Sequence, residues 1–405
     1  MTEAILHRPA VARLAFPVLV AASICHLLND TMQSVFTAAF PVFKAGFGLS
    51  FGEIGLLTLT YQLAASILQP LIGLYTDSRP KPYSLPFAMA FSMAGLLTLA
   101  FAPSYPVLLA GGALLGVGSS IFHPESSRLA RIASGGAHGL AQSIFQVGGN
   151  VGSALGPLLV AFIVLPGGQG RLAWFAPAAA VGMVILAALG RWSKDNGHAR
   201  RRPAGAPREH SGLAPRQIGG AIAVLTLLML SKYFYLASIG TFYVFYLMQH
   251  FAVAPADAQL CLFVFLAAVA LGTVAGGPIG DRVGRRKVIW VSILGVLPFT
   301  MVLPYVGLTA TVALSFVIGV VLASAFSAIV VYAQELLPGR IGMVSGLFFG
   351  LAFGMGGLGA AVLGALADAT SVEFVYKVCA FLPALGILTA LLPDTAAPRS
   401  APPRG

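Results

Sequence analysis

Three groups of polar residues sit inside apolar sequence, and their types limit the chemistry the chain can perform. The first lies in the run ASICHLLNDTMQSVFT, where Asp30 follows His26 by four residues. At helical spacing Ser23, His26, Asp30, Ser34 and Thr37 share one face. A carboxylate beside an imidazole can take up and release a proton, or hold a polar cargo. The second is Lys232, alone among charges in LLMLSKYFYLASI. An ammonium at that depth suits an anionic cargo and is expected to pair with Asp30 when no cargo is bound. Protonating Asp30 would then free Lys232 for an anion.

The third group is the stretch Ser119–Pro157, with His123, Glu125, Arg128, Arg131 and His138, then Gln142, Gln146 and Asn150. His123 fits either a cargo ligand or a structural hydrogen-bond donor. Pro124 removes a backbone donor and bends its helix. Glu125 is a second candidate proton carrier, although it lies about 12 Å from mid-span toward one surface at 1.5 Å per residue. His138 reads as a solvated loop residue and Arg128 as a cation that draws anions inward. Amides align elsewhere too: Thr58, Gln62 and Gln69 share one face, and Gln142, Gln146, Asn150 and Ser153 another. Such side chains hydrogen-bond either a cargo or a neighbouring helix. Tyr61, Tyr233 and Tyr235 fit either the lining of the same space or packing between helices, the commoner role of aromatic residues in spans.

These groups need a scaffold that keeps them in lipid, because an ionised side chain at the bilayer centre costs about 3 kcal/mol even on insertion scales. The composition supplies it. Of 405 residues, 58% are hydrophobic and 9% charged, far below the roughly one quarter charged of a soluble domain. The chain reads as an all-α integral membrane protein. Spans of about 20 apolar residues number twelve, at 15–42, 53–75, 83–102, 105–128, 139–165, 172–192, 218–247, 258–280, 288–304, 310–334, 341–366 and 373–393. The first run is too long for a signal-peptide core and is expected to be retained.

Placing the N-terminus in the cytoplasm puts twenty basic residues on that side against three outside, so both termini are expected there. The polar stretch 193–217 separates an N-terminal six-helix bundle (1–192) from a C-terminal bundle with a short tail (218–405). The halves echo each other. Gly73 and Asp77 recur as Gly277 and Asp281, and Gly149 and Gly152 recur as Gly356 and Gly359. Two related six-span halves suit a transporter that rocks about a central site. Gly148, Gly152 and Gly156 form a ridge for close helix approach.

Other functions are disfavoured. The net charge of +11 lies in short loops rather than on a basic face, so nucleic acid is not expected. Cys25, Cys261 and Cys379 stand far apart without ligand spacing, so neither a metal, a cofactor nor a disulfide framework is indicated. GMGGLG at 354–359 fits a dinucleotide pattern but lies within an apolar helix. No GxxxxGK[ST] occurs, so transport is expected to run on a gradient.

DRVGRRK at 281–287 resembles the loop 8–9 signature of the major facilitator superfamily, and GLYTDSR at 73–79 a degraded loop 2–3 copy. GSALGP at 152–157 is similar to the family's antiporter motif, without its trailing glycine pair. The likeness extends through HLLND at 26–30, residues 119–150, SKYFYLAS at 231–238 and YAQELLPGR at 332–340, and covers about residues 16–394. The resemblance implies the major facilitator fold and a proton-driven exporter of a small anionic phosphonate drug. A bacterial inner-membrane location and a monomeric state are expected with it. It also implies that Asp77, Arg79, Arg131, Asp281, Arg285, Glu335 and Arg340, with Glu125 and Arg128, latch the two halves at a gate. The expected cargo and proton residues are His26, Asp30, Tyr61, Gln62, His123, Glu125, Gln146, Asn150, Lys232 and Tyr235. An uptake symporter for an organic anion or sugar phosphate is the alternative. An enzyme acting on a lipid-linked phosphate is more remote, because the charges are scattered over spans 1, 4, 7 and 10.

Overall fold

The computed structural model describes residues 14–79, 81–135, 138–197, 213–337 and 341–393. Arg340, and the side chains of Asp77, His138 and Asp281, lie outside what it describes. The described residues form helices and no strand. In lipid this is what backbone hydrogen bonding requires, since a helix satisfies its own amides. In order these are α1 (Phe16–Ala38), α2 (Phe51–Ser78), α3 (Ser84–Ala100), α4 (Tyr105–Ala133), α5 (His138–Leu159) and α6 (Ala176–Gly197). After the linker come α7 (Pro215–Phe251), α8 (Pro255–Val283), α9 (Arg285–Leu294), α10 (Leu308–Ala323), α11 (Ile341–Ala369) and α12 (Val372–Cys379).

Some rods resume after a break: α1 at Phe40–Phe47, α9 at Leu297–Val302, α10 at Ala325–Leu336 and α12 at Leu382–Leu391. Helix runs past the expected linker boundary, to Gly197, and restarts at Pro215. Among the described residues ten helical stretches are long and apolar enough to cross a bilayer, and Ser84–Ala100 is a shorter apolar helix. Helix α1 falls below that hydropathy because His26, Asn29, Asp30 and Gln33 lie in it. The chain is a multi-pass membrane protein.

Prolines shape the helices that matter. Pro157 in α5 has no N–H for the carbonyl of Ser153, and the Ser34 hydroxyl of α1 donates to it instead at 2.6 Å. A π-helical turn, Val160–Val164, follows. The glycine ridge of α5 faces α1. A Cβ at Gly148 would strike the Ser23 carbonyl, at Gly152 that of Leu27, and at Gly156 the Ser34 side chain.

The two halves meet where α2 crosses α11 at backbone distance: a Cβ at Gly55 would strike the Ala360 carbonyl, and at Gly364 that of Phe51. At the end away from the linker, Asp368 of α11 accepts from the backbone N–H groups of Phe51 at 2.7 Å and Gly52 at 2.6 Å. Those are orphan donors of the first turn of α2, the positive end of its dipole. Nearby, Val42 N–H bonds to Ala39 rather than Ala38, and Gln259 Nε2 of α8 donates to the freed Ala38 carbonyl at 2.7 Å.

Candidate functional site

A cavity of about 410 Å³ lies between the halves, walled by α1, α2, α4 and α5 on one side and by α7, α8, α10 and α11 on the other. Asp30 forms part of its N-terminal wall. Its Oδ2 is 3.3 Å from His26 Nε2 and its Oδ1 is 3.5 Å from His123 Nε2. Asn29 Nδ2 also donates to Oδ1 at 3.1 Å, and Ser92 Oγ donates to Asn29 Oδ1 at 3.3 Å. The carboxylate is 16% exposed, His123 21% and His26 3%, so the first two meet the cavity and His26 lies behind them.

Helix packing sets each imidazole. His26 stacks on Phe145 of α5 with ring centres 4.0 Å apart, and its Nδ1 lies 2.9 Å from the Phe145 carbonyl. Space for the ring exists because residue 149 has no side chain: a Cβ on Gly149 would strike the imidazole and come within 2.8 Å of Asp30 Oδ2. His123 Nδ1 lies 3.0 Å from the Ser119 carbonyl one turn earlier and 3.2 Å from the Ser119 hydroxyl. That hydroxyl donates to Gln33 Oε1 at 3.4 Å, which also accepts from the Tyr61 hydroxyl.

Lys232 lies in the opposite wall and is 2% exposed. Its Nζ is 5.6 Å from the ring centres of both Tyr233 and Phe326. The expected Asp30–Lys232 pair is not formed: no ion pair within 4 Å joins them among the described residues. The two histidines occupy Asp30 instead. Among the described residues the Lys232 amine has no counter-charge, and burying an ammonium alone is costly, so an anion in the cavity would stabilise its charged form. Among the described residues, three buried amide atoms of the facing wall, Gln33 Nε2, Gln62 Oε1 and Asn150 Nδ2, have no hydrogen-bond partner.

Of the expected cargo residues, Tyr61, Gln62, His123, Gln146, Asn150 and Lys232 line the cavity with Asp30. Tyr235 does not. The cavity face of α7 runs through Lys232, Tyr233, Leu236, Ala237 and Gly240. Tyr235, two residues and about 200° round the helix from Tyr233 at 3.6 residues per turn, is buried at 1% exposure elsewhere. Glu125 also lies off the cavity, about 200° round α4 from His123. Its Oε2 accepts from Arg128 Nη2 at 2.6 Å and from Ser84 Oγ at 3.1 Å. Gln69 is buried away from the cavity, and Gln142 accepts from Ser127.

Only some of the charges expected at a gate lie among the described residues. The described ion pairs near the linker end, Glu125–Arg128 at 2.6 Å and Arg285–Glu335 at 2.5 Å, each join residues of the same half. Arg79 and Arg131 are exposed, whereas Arg340 and the Asp77 and Asp281 side chains lie outside the described residues. Among the described residues, Asp368 and Gln259 make polar ties across the halves, and the sequence pointed to neither. Gln33 was missed as well, although it follows Asp30 by three residues and so shares its side of the helix. Phe326 and Phe353 of the C-terminal wall carry no distinguishing signal in an apolar sequence.

The family model of the Major Facilitator Superfamily matches residues 22–248 and 222–405. The chain is 58% identical over 385 residues to the Fosmidomycin resistance protein of Escherichia coli (strain K12), covering 95% of this chain and 94% of that one. It is 42% identical over 381 residues to the uncharacterized MFS-type transporter YfnC of Bacillus subtilis (strain 168), covering 94% and 93%. Among solved structures, an inward-facing, occupied bacterial homolog of the human lysosomal transporter Spinster superposes with a TM-score of 0.72 at 15% identity, covering 94% of each chain. The nucleoside transporter NupG gives 0.73 at 14% identity, covering 94% of this chain and 100% of that one. At such identities the two structures speak to the fold alone.

Proposed function

Because this chain belongs to the major facilitator superfamily, we propose that it exports a small anionic phosphonate of the fosmidomycin type in exchange for protons. It is a secondary transporter rather than an enzyme. The specific reading sets it in a bacterial inner membrane with both termini in the cytoplasm, which agrees with the basic residues of its loops. A monomer suffices, since one chain supplies both walls of the cavity.

The observation that carries the reading is Lys232, a buried amine that pairs with no carboxylate among the described residues and lies in the wall of a cavity of about 410 Å³. In the facing wall, Gln33 Nε2 and Asn150 Nδ2 are amide donors unpartnered among the described residues, which suit phosphonate oxygens, and Gln62 Oε1 suits a hydroxyl or N–H of the cargo. The relative named for fosmidomycin resistance supplies the cargo class. Asp30, set between two imidazoles and reachable from the cavity, is the proton-coupling group. It does not work by releasing Lys232, as the sequence alone led us to expect, because the two are not paired.

Fosmidomycin accumulation in cells tests this directly. Expression should lower it, a protonophore should restore it, and Asp30→Asn at normal membrane abundance should behave like empty vector. Raised accumulation would indicate an uptake symporter, and export unaffected by the protonophore would remove protons from the scheme.

A further inference from the structure

We propose that His26, Asp30 and His123 form a binding site for one divalent transition-metal ion of the zinc class, through which the anionic cargo is held. The inference rests on the export reading for its cargo, and on geometry for the metal. The Nδ1 atoms of the two imidazoles face backbone carbonyls, that of His26 at 2.9 Å from Phe145 and that of His123 at 3.0 Å from Ser119. A carbonyl can only accept, so each Nδ1 bears a hydrogen, and in the neutral imidazole each Nε2 is left with the lone pair that can bind a metal. Such a second-shell carbonyl is what orients histidine ligands in metal sites.

Both Nε2 atoms then point at a carboxylate, 3.3 and 3.5 Å from its oxygens. With both rings neutral, three acceptor atoms converge and repel one another unless a proton or a metal ion joins them. Bonds of about 2.0–2.1 Å to nitrogen and oxygen in a tetrahedron put ligand atoms roughly 3.3–3.4 Å apart. The ligand atoms here all lie within 4.8 Å of one another, so closing the site takes small side-chain adjustments. Two imidazoles and one carboxylate favour zinc, cobalt or nickel over magnesium or calcium. Asn29, donating to Asp30 Oδ1 at 3.1 Å, holds the carboxylate from behind.

Three protein ligands leave a fourth position open, and Asp30 and His123 turn it toward the cavity. A phosphonate oxygen would fill that position, with Lys232 of the opposite wall taking further negative charge. Exchange adds a reason for the metal. Antiport requires proton and cargo to exclude each other, yet a bare anion is attracted more strongly by a protonated triad. A metal-held anion competes with protons for the same three atoms, because metal ligands must be deprotonated.

Titration of the purified full-length transporter in detergent with Co²⁺, read by the visible absorption of tetrahedral cobalt, tests the site without transport. One equivalent should bind, Zn²⁺ should displace it, and His26→Ala and His123→Ala should each weaken it at least tenfold. Tyr235→Phe, off the cavity, should leave it unchanged. Adding fosmidomycin should alter the cobalt spectrum. No saturable binding by the wild type, or equal affinity in both folded histidine variants, would overturn the proposal. Should one variant fail to fold, the other alone decides. Proton-dependent export with no metal binding would leave the transport reading standing and remove the metal. Metal binding without export would do the reverse.

Discussion

Asp368→Ala should loosen the closed end of the transporter. In the structure the Asp368 carboxylate takes two backbone hydrogen bonds across the halves, 2.7 Å from Phe51 N and 2.6 Å from Gly52 N, at the positive end of α2. A hydrogen bond to a charged group contributes about 1.5–3 kcal/mol when shielded, and the helix end a further 0.3–1 kcal/mol. Asp368 is exposed, so water replaces much of what is lost and a net change of about 1–2 kcal/mol is reasonable. Only the state with this end closed makes the contact. Its removal should therefore shift the ratio of the two access states by about 5- to 30-fold. The assay uses a single cysteine on the cavity wall, at Ser153 or Ala237, in a background lacking the native three. Its modification rate by a membrane-impermeant thiol reagent is measured from each face. From the face bearing residues 48–50 the rate should rise by that factor in Asp368→Ala. Asp368→Asn, which keeps an acceptor but no charge, should fall between. Unchanged rates in both variants would refute the assignment of Asp368 as a tie between the halves.

Two further perturbations address the cavity. Lys232→Ala removes the cation that faces the cargo; losing one charge-assisted contact of about 1.5–3 kcal/mol should reduce fosmidomycin resistance by tenfold or more. A neutral cargo should be handled almost as before, and equal loss for both would mark a folding defect. Gly149→Ala inserts a methyl group against the His26 ring and Asp30. It should destabilise the folded transporter by about 1–3 kcal/mol and abolish export. Wild-type thermal stability together with full export would show that the α1–α5 contact is looser than described.

Much was legible without coordinates because the signals are local. Span lengths follow from hydropathy summed over neighbours in sequence. The close approach of α5 to another helix followed from Gly148, Gly152 and Gly156, although not the identity of the partner, α1. Asp30 and Lys232 stood out because charge in lipid is expensive. Where the reading erred, angle round a helix was the cause. Tyr235 and Glu125 share a turn with true cavity residues but point away from them. Polarity alone cannot separate a side chain facing the cavity from one facing the next helix.

The sequence by itself determined the membrane class, the two-half organisation, and which ionisable side chains lie too deep to be incidental. Tertiary structure decided their partners. His123 is 97 positions from His26 in the chain, and only the docking of α4 against α1 sets both imidazoles on one carboxylate. That same docking left Lys232 without the partner charge complementarity had suggested. Complementary charge makes a contact favourable once two groups are near, but helix packing determines which groups come near.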